Sequence, residues 1–233
     1  MRIINEGTGI EKIANSEGFI LGIAIDDNNN IFACELKHAA VFKYDSERKD
    51  FKEFAKGPKI PNYPVIDAKR NALYVSDSFG FGEKGIGVYK FDLTTGKGGP
   101  CSEELFNFAN GMCLSPDGNY LYVIESFHPC VSRMKIQDDG SLGKKEIFTE
   151  EVQTVPDGLA FDKNNNLFIS CYEPSRIYMA NPNGKCKLLI EDPVCTTLAH
   201  PTNIAISEDG NTMYTANLGR WHITKIDISS LYS

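Results

Sequence analysis

The stretch DGLAFDKNNNLFISC, residues 157–171, opens on an Asp-Gly pair, runs on as an apolar segment, breaks at three asparagines and resumes as a second apolar run. Two apolar runs joined by a tight Asn/Asp/Gly-rich turn read as a β-hairpin. The pattern occurs four more times: LGIAIDDNNNIFACE from Leu21, NYPVIDAKRNALYVSDS from Asn62, NGMCLSPDGNYLYVIES from Asn110 and TNIAISEDGNTMYTAN from Thr202. By subtraction of those positions the successive starts lie 41, 48, 47 and 45 residues apart. After every hairpin comes a third strand (AAVFKYD, GIGVYKFD, VSRMKI, RIYMAN, HITKID), and after most a fourth (FKEFA, EELFNF, KKEIFT, CKLLIE). Four short antiparallel strands repeated at such a period predict propeller blades around a central channel. The expected architecture is therefore all-β, a single β-propeller domain over residues 1–233, with Gly80–Gly87 a glycine-rich loop inside the second unit. The last unit stops after its third strand, at ITKIDISSLYS, whereas a spare strand, GIEKIANSEG, precedes the first hairpin. Because an unpaired sheet edge invites association, the spare strand is expected to complete the last blade and close a ring of five.

The composition, 42% hydrophobic and 24% charged over 233 residues, supports one sizeable core. No apolar run reaches the roughly 18 residues that a membrane span needs, and the amino end, MRIINE, is too polar for a signal peptide. A net charge of −7 argues against nucleic acid as the main partner. Seven cysteines, at 34, 101, 113, 130, 171, 186 and 195, show no paired close spacing. Several stand inside expected strands, where a reduced thiol acts as a small hydrophobe. The reading is a reducing, cytoplasmic setting rather than a disulfide framework or a zinc site.

In a blade the innermost strand comes first, so its first residue stands at the channel mouth. Those residues are Leu21, Asn62, Asn110, Asp157 and Thr202, with Asn203 one place further on. Taken singly, Asn-Gly and Asp-Gly are favoured turn pairs. Recurring at one converging position, two carboxamides and one carboxylate suit a hard divalent cation. The loop between second and third strands lies on the same face, which brings Glu35, His38, Asp77, Ser78, Glu125, Ser126, His128, Tyr172, Arg176 and His222 toward the same mouth. Among these, Asp77 and Tyr172 are candidates for substrate contact. His128 is a candidate proton shuttle, since imidazole is the side chain suited to proton exchange near neutrality; it also reads simply as a polar loop residue before Pro129. No Gly-x-Ser-x-Gly elbow, Walker loop or dinucleotide fingerprint is present, and GFGEKG lacks the following helix that phosphate cradling needs.

The segments PNYPVIDA (61–68), ANGMCLSPDG (109–118), PDGLAFD (156–162) and PTNIAIS (201–207) resemble the senescence marker protein/gluconolactonase/regucalcin-like propellers. TANLGRWHIT (215–224) looks like a bacterial branch of that family. The resemblance covers nearly the whole chain. It implies a six-bladed propeller with one divalent metal in the channel and, in many members, hydrolysis of lactones or related esters. Carried over, it makes Asn110 and Asp157 direct metal ligands and places Asn62 where an asparagine contacts substrate or metal; Asn203 would add a substrate contact. Ca²⁺ is the expected ion, ahead of Mg²⁺, Zn²⁺ or Mn²⁺. Asp157 would also be the catalytic carboxylate, and the implied partner is a small lactone or ester, not nucleic acid or membrane. One departure stands out. The family takes a Glu ligand from the inner strand of its first blade, but Leu21 aligns with the second. About five blades are thus encoded here, the first missing except for its last strand. Glu17, four residues before Leu21, reads either as a substitute or as a solvated loop charge. The alternative function is a non-catalytic propeller that binds a small molecule or a protein through the same mouth.

Overall fold

The structure is a computed structural model that describes residues 2–4 and 7–232. Five antiparallel sheets follow one another along the chain in a propeller arrangement. The first contains Ile20–Ile25, Ile31–Glu35, Ala40–Asp45 and Asp50–Lys56, and the second Pro61–Asp67, Ala72–Asp77, Val88–Asp92 and Gly98–Pro100. The third contains Ala109–Leu114, Tyr120–Glu125, Cys130–Ile136 and Leu142–Thr149, and the fourth Val155–Phe161, Leu167–Glu173, Arg176–Ala180 and Cys186–Glu191. The fifth has three strands, Pro201–Ile206, Thr212–Asn217 and His222–Asp227.

The hairpin turns are built from their own polar residues. In the first and fourth blades an aspartate, Asp26 or Asp162, accepts backbone N–H groups two and four residues on, and Asn29 and Asn165 take a positive φ of 61°. In the third and fifth, Ser115 with Asp117 and Ser207 with Asp209 brace a turn whose left-handed position is glycine, Gly118 or Gly210. These side chains serve the turns at the far end of the inner strands and are not drawn to the mouth.

A separate core lies between each pair of consecutive blades. Phe32, Leu73 and Phe91 fill the first, and Tyr74, Phe106, Met112 and Leu121 the second. Ile124, Leu167 and Ile169 fill the third, and Phe168, Ile177 and Met213 the fourth. A large apolar side chain buried in this way contributes roughly 1.5–3 kcal/mol. Cys34 and Cys171 belong to these cores, as expected for small hydrophobes, and all seven cysteines are free thiols.

Two sequence expectations need correction. The outer strand of the second blade is Gly98–Pro100, paired with Val88–Asp92, and not the EELFNF segment. Within that segment Leu105–Asn107 pairs instead with Lys84–Ile86, which turns part of the glycine-rich loop into an excursion from the blade. The reason is steric: a side chain on Gly98 would stand 2.0 Å from the Lys90 carbonyl oxygen, so only glycine fits at that position, and the Gly-Gly-Pro composition of the strand hides it. The spare amino-terminal strand does not complete the last blade either. Gly9–Glu11 pairs with Arg2–Ile4 as a small hairpin, which leaves His222–Asp227 the outermost strand of the fifth sheet among the described residues. A short local hairpin closes a far smaller loop than pairing across the whole chain would. No helix among the described residues is long and apolar enough to cross a membrane.

Candidate active site

Inner strands of neighbouring blades come unusually close, and glycine makes that possible. A side-chain carbon on Gly22 would lie 2.6 Å from the Asn62 carbonyl oxygen, one on Gly111 2.2 Å from that of Asp157, and one on Gly158 2.7 Å from Asn203 Cα. The Gly of each Asn-Gly or Asp-Gly pair is therefore a contact requirement, while the preceding residue is held at the start of the inner strand. Asn62, Asn110 and Thr202 stand second, and Asp157 third, in the inner strands of consecutive blades, which lie side by side.

Serine hydroxyls fix the carboxamides. Ser126 donates its one hydroxyl proton to the Pro156 carbonyl at 2.7 Å, so its oxygen accepts from Asn110 Nδ2 at 3.0 Å. Ser78 does the same one blade earlier, donating to the Ala109 carbonyl at 2.9 Å and accepting from Asn62 Nδ2 at 2.9 Å. In both amides Oδ1 is thereby turned away from the relay and left as an acceptor. Asn110 is buried and also hydrogen-bonds the Asp157 carboxylate.

Asp157 is half-buried, and no charged side chain figures among the influences on its carboxyl. Burial pushes its carboxyl up to about 7, against the lowering effect of the Asn110 hydrogen bond. Among the described residues it has no ion-pair partner, unlike Asp67, which holds Arg70 at 2.7 Å, or Glu125, which holds Lys145 at 2.9 Å. Tyr63 occupies the position that glycine takes in three other inner strands. Its hydroxyl donates to Asn203 Oδ1 at 3.0 Å, joining the second blade to the fifth, and burial pushes it up to about 12. Asn203 Oδ1 also accepts from the Ile204 N–H, so only its Nδ2 is left for another group. Beyond this level Ile23, Val65, Met112, Leu114 and Leu159 line an open recess of about 360 Å³.

The other expected site residues are distributed differently. Asp77 is buried with its carboxylate taken by the N–H groups of Lys59, Ile60 and Phe79, where it braces the loop into the second blade. Glu125 braces the third by accepting from Asn107 N–H, and Glu35 the first by accepting from the N–H groups of Lys37 and His38. His128 is exposed, with Nδ1 3.6 Å from Cys130 Sγ. Arg176 is held by Glu191, and His222 bonds the Thr197 carbonyl. Glu17 sits on an exposed loop, where its carbonyl accepts from Lys37. Tyr172 is half-buried at the mouth, its ring stacked at 4.7 Å on that of His200, a residue the sequence patterns did not single out. The signal for His200 was its place directly before the PTN start of the fifth inner strand.

Whether this set fits a cation is a question of donor chemistry. No group of three His, Cys, Asp or Glu side chains able to hold a metal occurs among the described residues. The inner-strand starts Asn62, Asn110 and Asp157 offer oxygen donors, two oriented carboxamides and one carboxylate without an ion-pair partner among the described residues, which matches a hard cation in donor type.

A propeller whose inner strands open on oxygen-bearing side chains is the class of protein that these features define. Residues 79–217, more than half of the chain, match the SMP-30/Gluconolactonase/LRE-like region, and the chain belongs to that family. It is 24% identical over 227 residues to a lactonase drp35 of Staphylococcus haemolyticus, spanning 74% of this chain and 69% of that protein. It is 32% identical over 115 residues to a gluconolactonase of Zymomonas mobilis, spanning 45% of this chain but only 31% of the relative. Among solved structures, a gluconolactonase from Xanthomonas campestris superposes with a TM-score of 0.74 at 17% identity, over 92% of this chain and 74% of its own. A chain of a nidogen/laminin complex does so equally well, at 0.74 and 15% identity, over 91% of this chain and 77% of its own. At that level of identity the likeness establishes the fold alone.

Proposed function

We propose that the chain is a hydrolase that opens a lactone or similar small carboxylic ester at the propeller mouth, with one divalent cation as cofactor. The observation that carries this reading is Asp157, a carboxyl held up to about 7 by burial, without an ion-pair partner among the described residues and hydrogen-bonded to the Asn110 carboxamide, with the Asn62 carboxamide held by the same kind of serine relay one blade earlier. The lactonase and gluconolactonase relatives support the substrate class.

Asn62, Asn110 and Asp157 would hold the ion, and an all-oxygen set favours Ca²⁺ over Mg²⁺, Mn²⁺ or Zn²⁺. When bound, the ion would supply Lewis-acid polarisation of the ester carbonyl. The chain's own groups do the rest. Asn203 Nδ2, the group its Oδ1 contacts leave over, would donate to a substrate oxygen, and Tyr172 would offer a flat apolar face. Asp157 can accept a proton from water, although as a cation ligand it would be only a modest base.

The test is proton release from a panel of aliphatic and sugar lactones, measured with Ca²⁺ or with EDTA. Turnover is expected with Ca²⁺, with loss in EDTA and in Asp157→Ala. If no lactone is opened at any cation concentration, the reading falls. That Asp157 is the one carboxylate among the inner-strand starts Leu21, Asn62, Asn110, Asp157 and Thr202 favours one alternative, a non-catalytic binding propeller, for which ligand binding would be indifferent to EDTA.

A further inference from the structure

The second-to-third and third-to-fourth blade junctions are each closed by a serine hydroxyl donating to a carbonyl of the next inner strand. The fourth-to-fifth junction is closed by an imidazole. His200, at a positive φ of 55°, directly precedes the fifth inner strand, and its backbone N–H donates to Ser175 Oγ at 3.0 Å. Its Nδ1 lies 2.9 Å from the Tyr172 carbonyl oxygen and 3.1 Å from Glu173 Oε2. Both partners are acceptors, so Nδ1 carries a proton, and Nε2 is the ring nitrogen that neither of them engages. The ring is further fixed by stacking on Tyr172 at 27° between planes. Tyr172 lies beside the bulge that carries Asp157, since Pro156 pairs with Cys171 and Gly158 with Ser170. Gly158 packs in turn against Thr202 and Asn203. An imidazole fixed through its Nδ1–H and its stacked face thus stands one strand start away from the carboxylate.

We propose that His200 is the proton carrier of the hydrolysis, with Tyr172 and Glu173 as its positioning residues; this rests on the lactone-hydrolase reading. Nε2 takes a proton from water as the water oxygen bonds to the lactone carbonyl carbon. The imidazolium then gives that proton to the ring oxygen as its C–O bond breaks. The hydroxy acid leaves as a carboxylate and its remaining acidic proton passes to solvent. Asp157 is thereby free to remain an ionised ligand throughout.

The experiment compares wild type with His200→Gln, His200→Ala and Glu173→Gln on a lactone that the wild type opens. Gln keeps a donor for the Tyr172 carbonyl but cannot shuttle a proton. Its kcat should fall at least about 100-fold with KM little changed, Glu173→Gln should lose less, and free imidazole should restore turnover to His200→Ala. A His200→Gln enzyme with wild-type kcat would overturn the proposal while leaving the hydrolase reading intact. A second measurement is independent of turnover. Long-range ¹H–¹⁵N correlation of the wild type should show His200 protonated at Nδ1, with Nε2 shifting when 2-piperidone, a lactone-shaped lactam, is added. If the wild type opens no lactone, the hydrolase reading fails by itself. If in addition Nε2 does not respond to the lactam, His200 has no place in a ligand site.

Discussion

Asp157 illustrates what a single residue can report about a site. Its folded-state value of about 7 lies above the ordinary 3.8, so between those two pH values the folded chain binds more protons than the unfolded one. The sign follows: without a divalent cation, stability falls as pH rises from about 4 to about 7, by up to a few kcal/mol. Asp157→Asn should remove that component. Urea unfolding in EDTA at about pH 5 and about pH 8 checks it, the variant losing less stability than wild type across the interval; equal losses would contradict the assignment. Added Ca²⁺ should stabilise the wild type at the higher pH and leave the Asn variant unmoved. At this scale the sequence was partly legible. A column of Asn, Asn and Asp at strand starts is visible as a pattern, because the blade period places them. The commitment of Asp77 to three N–H groups was not visible, since an acidic residue at a loop looks alike whether it faces solvent, substrate or its own backbone. His200 was missed for a similar reason: its partners are a carbonyl and an exposed glutamate of another blade, which no local spacing encodes.

At the scale of elements, the inner strands are positioned by glycine contacts and by serine relays, and each device predicts its own failure. Gly111→Ala puts a methyl carbon against the Asp157 carbonyl and the Gly158 Cα, both backbone, so a strand must move. The expected cost is about 1–3 kcal/mol together with weakened cation binding, measured by urea unfolding and calorimetry. Gly99→Ala, which meets nothing within 4 Å, is the matched control and should change stability by less than about 0.5 kcal/mol. Ser126→Ala removes the donor to Pro156 and the acceptor for Asn110, two groups in a buried setting. It should cost about 1–3 kcal/mol and lower kcat by freeing the carboxamide to rotate; a variant with wild-type stability and turnover would show that the relay orients nothing. The hairpins themselves were readable because their turn chemistry is local, as Asp26 and Asp162 show. The outer strand Gly98–Pro100 was not, because its reason for existing is close packing on Lys90 rather than any strand propensity.

For the whole molecule the decisive feature is how the first and last blades are tied to the rest. Among the described residues four cores join five blades in series, so the fifth blade is packed there through a single core, with Phe168, Ile204 and Met213, and its outermost described strand leaves an open edge. Two further ties act at the mouth. Trp221, the chain's single tryptophan and 76% exposed, meets Phe19 edge-on at 6.1 Å, linking loops of the first and fifth blades. The Tyr63 hydroxyl crosses from the second blade to Asn203 in the fifth. Such an arrangement predicts unequal cooperativity, with the fifth blade opening at lower free energy than the middle three. Tyr63→Phe keeps the ring and deletes only the hydroxyl, so the loss should be about 0.5–1.5 kcal/mol and should fall on the fifth blade. Amide exchange is the measurement: faster exchange at Ile204, Met213 and Thr215, with Leu121, Val123 and Ile169 unchanged. Trp221 emission supplies an independent reading, since separation of the two loops alters the environment of the only indole in the chain. Uniform acceleration across all blades would mean that the ring opens as one unit and that the strap has no local role.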